Sequence, residues 1–218
     1  MNAKKLSFLL LILVAVACTN RSTSSEQDEM RHWNNVLQQI NALLLENKAR
    51  QTLDLAKQTL PEILESAEKN GTTDTLIYYA RKIFNACGNN YINTKQYKDG
   101  IDYMDSIGNH PLIRAHCPHE LLSFKAGLNQ LYGNNPEAVR LAEDYLQLPV
   151  CTSANDFIRQ AEIISGVYMY SGNNLPKAIQ ILEKAIDVYR KGGNFPNMLR
   201  IMSRLGIYYH LSGEYEKA

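Results

Sequence analysis

The sequence closes on Leu205-Gly206-Ile207-Tyr208-Tyr209-His210-Leu211-Ser212-Gly213-Glu214-Tyr215-Glu216-Lys217-Ala218. This stretch predicts a helix, a glycine-bearing turn and the start of a second helix. The same pattern occurs earlier in the chain, because Gly206 lies 40 positions after Gly166 and Ala218 lies 40 positions after Ala178. A third copy places Ala138 another 40 positions before Ala178. Self-similarity at a fixed period of tens of residues indicates a solenoid.

Helical spacing of apolar residues dominates from Met30 onward, and no sustained alternation of the kind typical of strands is present. We expect helix pairs at residues 28–46 with 49–69, at a second unit that begins at 73, at about 118–148 and at about 154–191, and a partial pair from about 196. Small residues recur on the two helices of successive pairs, where they would let the backbones approach closely: Gly88 with Gly100, Ala126 with Ala138, and Gly166 with Ala178.

These features resemble the tetratricopeptide-repeat family, in which two helices alternate over 34 residues with a Leu-Gly pair, an aromatic residue and a small residue at fixed spacing. The matching residues are Leu205, Gly206, Tyr209, Tyr215 and Ala218, followed in the preceding copy by Ala178, Leu182 and Ala185. The longer repeat and a first unit without the glycine depart from the family pattern. The resemblance implies an all-α fold over residues 28–218, a right-handed superhelical solenoid of antiparallel helix pairs with about four and a half repeats.

Residues 1–17 predict a signal peptide. Lys4 and Lys5 precede an apolar run that ends in small residues before Cys18, and this run is shorter than the roughly 20 residues of a membrane span. The stretch from Ala15 to Cys18 resembles the lipobox of bacterial lipoproteins, which implies lipidation of Cys18 and an exported, periplasm-facing or outer-membrane location. The alternative is a plain leader with an unrelated cysteine. Residues 18–27 are polar and predict a flexible tether.

The composition and motifs predict no enzymatic chemistry. A formal net charge of +1 argues against nucleic acid as the partner. Nucleophile, phosphate-loop and zinc-protease motifs are absent from the sequence, so we expect no catalytic residue and no cofactor. His110, His116, Cys117 and His119 crowd one segment, but their spacing matches no standard zinc pattern, and we interpret the segment as a polar loop without a metal.

Cys117 and Cys151 bracket the third predicted helix pair. A helical hairpin brings its entry and exit to the same end, and an exported protein can be oxidised, so these two thiols are candidates for a disulfide. Two unpaired cysteines are the alternative, because a disulfide also requires Cα atoms within about 7 Å of each other.

In the family that the chain resembles, the first helix of each unit lines a concave groove that holds a peptide or helix of a partner. Carried over to this sequence, the resemblance implies a groove formed by Lys82, Asn85, Asn89, Asn93, Glu120, Ser123, Gln130, Gln160, Ile163, Tyr170, Arg200, Ser203 and His210. The three asparagines recur every four residues and form one helical stripe. The stripe has two readings: hydrogen bonds to a peptide backbone, or an ordinary solvated face.

Two functions fit these features. The first is a non-catalytic scaffold, anchored to the bacterial envelope by its N-terminal lipid, that binds a protein or peptide. The alternative is the periplasmic sensor portion of a longer transmembrane signalling protein, a histidine kinase or a DNA-binding regulator. An apolar face formed by Met202, Leu205 and Tyr209, which we expect to lack a partner helix, favours the alternative. A glycan-binding lipoprotein fits less well, because no cluster of aromatic and acidic residues is present.

Overall fold

The computed structural model describes residues 27–149, 154–192 and 195–218. Within these ranges the chain is all-α, and none of its helices is long and apolar enough to cross a membrane. The helices are α1 (27–45), α2 (Ala49–Asn70), α3 (Asp74–Asn93), α4 (Tyr97–Ile107), α5 (Pro111–His116), α6 (Pro118–Tyr132), α7 (Asn135–Gln147), α8 (Ala154–Tyr170), α9 (Leu175–Gly192) and α10 (Phe195–Ser212). The predicted signal peptide and tether, with Cys18, lie outside the described residues apart from residue 27.

The helices form antiparallel pairs that stack side by side, which confirms the predicted solenoid. First helices contact one another from unit to unit, in the order α3, α6, α8, α10. Each second helix packs between its own first helix and the next one: α4 on α3 and α6, α7 on α6 and α8, and α9 on α8 and α10. The first helices therefore form one continuous layer, and we call its solvent-facing side the inner surface.

Helix ends follow from local capping chemistry. The Thr73 side chain accepts a hydrogen bond from the Leu76 backbone nitrogen at 3.2 Å and begins α3. The Asn174 side chain does the same for Lys177 at 3.1 Å and begins α9. Asn135, which directly precedes Pro136, is the first residue of α7. Asn134 occupies the cap position, but its side chain donates to Asn129 Oδ1 at 3.1 Å and does not cap the helix. The turn between α6 and α7 consists of two residues, Gly133 and Asn134, and Gly133 has a φ of 97°.

That short turn corrects the predicted role of Ala126. Because the turn between α6 and α7 is one residue shorter than the turn between α3 and α4, the residue equivalent to Gly88 is Gly127. A Cβ on Gly88 would lie 2.4 Å from the Phe124 ring, and one on Gly127 would lie 2.7 Å from Ile163. Each glycine therefore receives a large side chain from the next first helix, and the layer is packed closely at these points. Ala126 is buried towards α7 instead.

The apolar core runs along the whole stack in two clusters that meet at α6. Phe124 and Leu128 belong to the cluster that contains Trp33, Leu60 and Phe84. Ala126 belongs to the second cluster, which extends to Ile201 and Tyr208 and fills the space between α7, α8, α9 and α10. Burial of these side chains is the main stabilising contribution to such a stack.

Two predictions about irregular segments were wrong. The segment containing His110 and His116 is not a polar loop: it forms α5, whose Leu112 and Ile113 are buried. The first-helix residues Leu205 and Tyr209 do not lack a partner, because α10 packs on α9 and leaves them only 7% and 8% exposed. Met202, the third residue of that predicted face, is 44% exposed.

Candidate functional site on the inner surface

The structure distributes the predicted groove residues between the inner surface and the interior. Tyr170, Asn93, Ser203 and His210 are exposed, and Arg200 is about half exposed. Half-buried positions are Lys82, Asn85, Asn89, Gln130 and Ile163. The first-helix layer thus presents most of the predicted residues to solvent, at separate levels along the stack.

Three predicted groove residues are buried. Gln160 is 2% exposed, and its Oε1 accepts a hydrogen bond from the Tyr145 hydroxyl of α7 at 3.2 Å. Glu120 is 2% exposed and forms an ion pair at 3.2 Å with Arg81 of α3, while Ser123 is fully buried. These residues lie on helix flanks, and the close approach of neighbouring helices at the glycines covers the flanks. Their assignment to a binding groove is therefore wrong.

The asparagine stripe lies along α3 as its spacing predicts, and one of its members has an internal partner. Arg159 of α8 donates from Nε to Asn89 Oδ1 at 2.8 Å, reaching past α6 to do so. The small Gly127 in α6 keeps the first helices close enough for this contact. Asn89 therefore positions an arginine, while Asn85 and Asn93 remain on the half-buried and exposed parts of the stripe.

Three arginines converge on Glu162 between α8 and α10, two at its buried carboxylate and one at its backbone carbonyl oxygen. The Glu162 side chain is 4% exposed, and Arg200 Nε lies 2.7 Å from its Oε1. Arg159 Nη1 lies 3.9 Å from its Oε2, and Arg204 Nη1 donates to the Glu162 carbonyl oxygen at 2.9 Å. We call Arg159, Arg200 and Arg204 the arginine cluster.

The arginine cluster carries more positive charge than Glu162 neutralises. Three guanidinium groups lie beside a single carboxylate, that of Glu162, so the group as a whole carries two net positive charges. Burial lowers the pKa of Arg159, Glu162 opposes this change, and the nearby Arg200 and Arg204 lower that pKa further. Like charges are thus held together on the inner surface of a chain whose net charge is only +1. Such a site attracts carboxylate or other anionic groups.

Arg159, Glu162 and Arg204 are absent from the groove that the sequence analysis predicted. A single charged residue on a helix usually faces solvent, so the sequence alone does not mark these residues as part of a site. A usable signal exists, because Glu162 lies four positions before Gly166 and Arg204 lies two positions before the equivalent Gly206. Aligning the two helices on their glycines places Arg204 only two residues, about 3 Å along the helix, from the level of Glu162.

The histidine-rich segment gathers no metal site. His110 Nε2 lies 3.0 Å from Glu68 Oε1, whereas its Nδ1 accepts a hydrogen bond from the Leu112 nitrogen at the start of α5. His119 Nε2 lies 2.7 Å from the Pro149 carbonyl oxygen, on another side. In the parts of the chain that the structure describes, no three His, Cys, Asp or Glu residues are grouped to hold a metal ion.

The cysteines within the described ranges lie in the core. Burial raises the pKa of the Cys87 thiol to about 12, so it stays protonated and unreactive at neutral pH. Cys117 is fully buried at the junction of α5 and α6. Cys151 lies outside the described residues, and a disulfide with Cys117 stays a prediction.

Comparison with known proteins identifies the class of fold. No protein-family model matches the chain, and no curated protein matches it. A crystal structure of a putative kinesin light chain from Podosopora anserina with nearly identical TPR-like repeats is similar, with a TM-score of 0.51 and 12% identity. A variant of the same protein gives a TM-score of 0.53, also at 12% identity. In both cases the similarity covers 84% of this chain and 88% of that chain.

The chain therefore has a TPR-like helical-repeat fold. At 12% identity the likeness concerns the fold alone, so the function has to be argued from the residues of the inner surface.

Proposed function

We propose that the protein is a non-catalytic scaffold that binds an acidic segment of a protein partner along its inner surface. The observation that carries this proposal is the arginine cluster, in which Arg159 and Arg200 lie against the Glu162 carboxylate and Arg204 donates to the Glu162 backbone carbonyl oxygen. Guanidinium groups bind carboxylates through paired, charge-assisted hydrogen bonds. A partner that supplies further carboxylates would balance the two excess charges.

The surface around the arginine cluster suits an extended segment. Arg159, Glu162, Gly166 and Tyr170 follow one side of α8, and the rise of about 1.5 Å per residue spreads them over roughly 16 Å. Tyr170 is 70% exposed and offers an aromatic ring with a polar hydroxyl beyond the charged end. A segment of about five extended residues spans that length. We therefore expect binding of a short acidic stretch and not of an isolated ion.

A direct test uses a fluorescein-labelled twelve-residue poly-glutamate peptide, with a poly-glutamine peptide as the neutral comparison, in an anisotropy titration. Arg204→Gln removes one guanidinium whose hydrogen bond goes to the Glu162 backbone carbonyl oxygen and not to the carboxylate. Its matched control is Arg140→Gln, because Arg140 pairs with Glu137 and Asp144 on the second helix α7. We expect the cluster substitution to weaken binding roughly five- to thirtyfold, equivalent to about 1–2 kcal/mol.

The outcome of this titration is decisive in both directions. Tight binding of poly-glutamate that is lost in Arg204→Gln, retained in Arg140→Gln and weakened by salt supports the proposal. Equal binding of the neutral peptide, or equal losses of affinity in both variants, would show that the arginine cluster does not recognise acidic peptides.

We further propose that the scaffold is tethered to the bacterial envelope through a lipid on Cys18. The support is the order of Lys4, Lys5, the apolar run and Cys18, followed by a polar tether. Metabolic labelling with an alkyne fatty acid should mark the chain in membranes, and Cys18→Ser should abolish both the label and membrane retention. An unlabelled chain in the soluble fraction would contradict the tether.

A further inference from the structure

In two successive interfaces of the first-helix layer, a large side chain fills the space over a glycine. A Cβ on Gly88 of α3 would lie 2.4 Å from the Phe124 ring of α6. A Cβ on Gly127 of α6 would lie 2.7 Å from Ile163 of α8. Phe124 lies three positions before Gly127, and Ile163 lies three positions before Gly166. The residue three positions before each glycine therefore faces the preceding first helix and packs on the glycine there.

The next interface, between α8 and α10, lacks this large side chain. The equivalent residue is Ser203, which lies three positions before Gly206 and is exposed. Outside its own stretch of helix, a Cβ on Gly166 would meet one described atom within 4 Å, the Gln130 Oε1 of α6 at 3.9 Å. Gly166 is nevertheless buried, so longer side chains cover this space from farther away. We call the space between Gly166 and Ser203 the glycine notch.

The glycine notch lies beside the arginine cluster. Ser203 stands between Arg200 and Arg204 in α10, and Gly166 follows Glu162 by about one helical turn on the same side of α8. Neither buried oxygen of the Glu162 carboxylate receives an aligned hydrogen bond from a donor in the described part of the chain. An extended segment in this place brings backbone N–H donors to that carboxylate, while its acidic side chains meet the guanidinium groups.

The glycine notch belongs to the side of α10 that faces back along the stack. Gly88 and Gly127 each face the following first helix, so the equivalent Gly206 faces away from α8. The Ala218 carbonyl oxygen lies 3.2 Å from the position of a Cβ on Gly206. The end of the described chain therefore packs on the other flank of α10 and leaves Ser203 exposed.

We propose that the glycine notch holds one aliphatic side chain of the acidic partner segment, as Ile163 fills the equivalent space over Gly127. This inference rests on the proposed function and specifies its partner: an extended segment with acidic residues on both sides of one valine or isoleucine. A methyl group fits over Gly166 without moving a neighbour, because the nearest atom is 3.9 Å away. A larger side chain fits once the half-buried Gln130 side chain rotates aside. β-Branched residues also favour the extended backbone.

The test compares two fluorescein-labelled twelve-residue peptides of equal charge in an anisotropy titration. Both are poly-glutamate with one replacement at the sixth position, isoleucine in one peptide and glutamine in the other. Burial of the aliphatic side chain should make the protein bind the isoleucine peptide about five- to tenfold more tightly. Equal affinity for the two peptides overturns the glycine notch and leaves the proposed function standing. Loss of binding to every acidic peptide overturns both.

Two variants on different helices locate the effect. Ser203→Ile gives α10 the side chain that Ile163 provides in α8 and fills the glycine notch, so the isoleucine preference should disappear. Gly166→Ala fills part of the space from α8 and should reduce the preference at least about twofold. The matched control is Ser106→Ile, at an exposed position of α4, which should keep the full preference.

The variants decide whether the isoleucine binds in the glycine notch. Ser203 and Ser106 are both exposed, and circular dichroism checks that each variant folds. A full isoleucine preference in folded Ser203→Ile and Gly166→Ala proteins, or an equal reduction in Ser106→Ile, overturns the proposal. Loss of the preference in Ser203→Ile, with its reduction in Gly166→Ala and retention in the control, supports it.

Discussion

Replacing Glu162 with glutamine should make the protein less stable and, at the same time, make it bind acidic peptides more tightly. The Glu162 carboxylate is 4% exposed and lies 2.7 Å from Arg200 Nε, yet neither of its oxygens receives an aligned hydrogen bond from a donor in the described residues. Glu162→Gln therefore removes mainly charge attraction. Because the Arg200 and Arg159 side chains are 53% and 39% exposed, water compensates much of it. We expect a loss of about 1 kcal/mol in the free energy of unfolding.

The gain in binding follows from Coulomb's law. The substitution raises the net charge of the site from two to three positive charges. At a separation of about 8 Å and an effective dielectric constant of about 40, one additional unit charge contributes about 1 kcal/mol to the attraction of a peptide carboxylate. This corresponds to an approximately fivefold lower Kd. The gain should shrink as salt is added, since the Debye length falls to about 8 Å at physiological ionic strength.

Urea denaturation and poly-glutamate anisotropy titrations at low salt measure the two effects. The control is Glu65→Gln, which removes the same charge from an exposed pair with Lys69 on α2. We expect the control to change neither quantity by more than a few tenths of a kcal/mol. Weaker or unchanged peptide binding by a folded Glu162→Gln protein, or an equal gain in the control, would refute the electrostatic reasoning.

Two further predictions concern packing and pH. Gly88→Ala should lower the free energy of unfolding by about 1–3 kcal/mol in urea denaturation, because its Cβ would lie 2.4 Å from the Phe124 ring. Gly166→Ala should be neutral or raise it by up to about 1 kcal/mol, because its Cβ meets nothing closer than 3.9 Å. Similar losses in both variants would contradict the close approach at Gly88. The hydrogen bond from Lys177 lowers the pKa of Glu143 below 4.5, so the unfolded chain binds more protons and stability falls as pH drops through 4.5 towards that lowered value. Lys177→Met should make the free energy of unfolding less dependent on pH in this range. An unchanged slope would show that other carboxylates cause the pH dependence.

The fold was predictable because small residues at fixed positions define the repeat. Gly166 and Gly206, with Ala178 and Ala218, recur at the same interval and set the two-helix unit. The spacing misled in the third unit, where the two-residue turn after α6 shifted the small residue to Gly127. A turn that is one residue shorter shifts the alignment of the two helices by one position. A rule that assumes a constant turn length therefore assigns the wrong residue on one of the two helices.

The inner surface was predictable in outline and not in its chemistry. Helical periodicity identifies which helices face inward, and Tyr170, Asn93 and His210 are exposed as expected. Periodicity does not state how closely two helices approach, and that distance decides whether a flank is open or covered. Gln160 was placed on the surface and lies in the interior, whereas Arg204 was overlooked. Both outcomes depend on contacts between helices that are distant in sequence.

The most direct test of recognition by the inner surface is to locate a bound acidic peptide. A poly-glutamate peptide with a nitroxide label, added to the isotopically labelled protein, broadens the amide signals of residues near its binding site. The account predicts that broadening concentrates on α8 and α10 around Arg159 and Arg204, and that it disappears in Arg204→Gln. Broadening that concentrates on the outer helices α7 and α9, or that is unchanged in Arg204→Gln, would contradict the account.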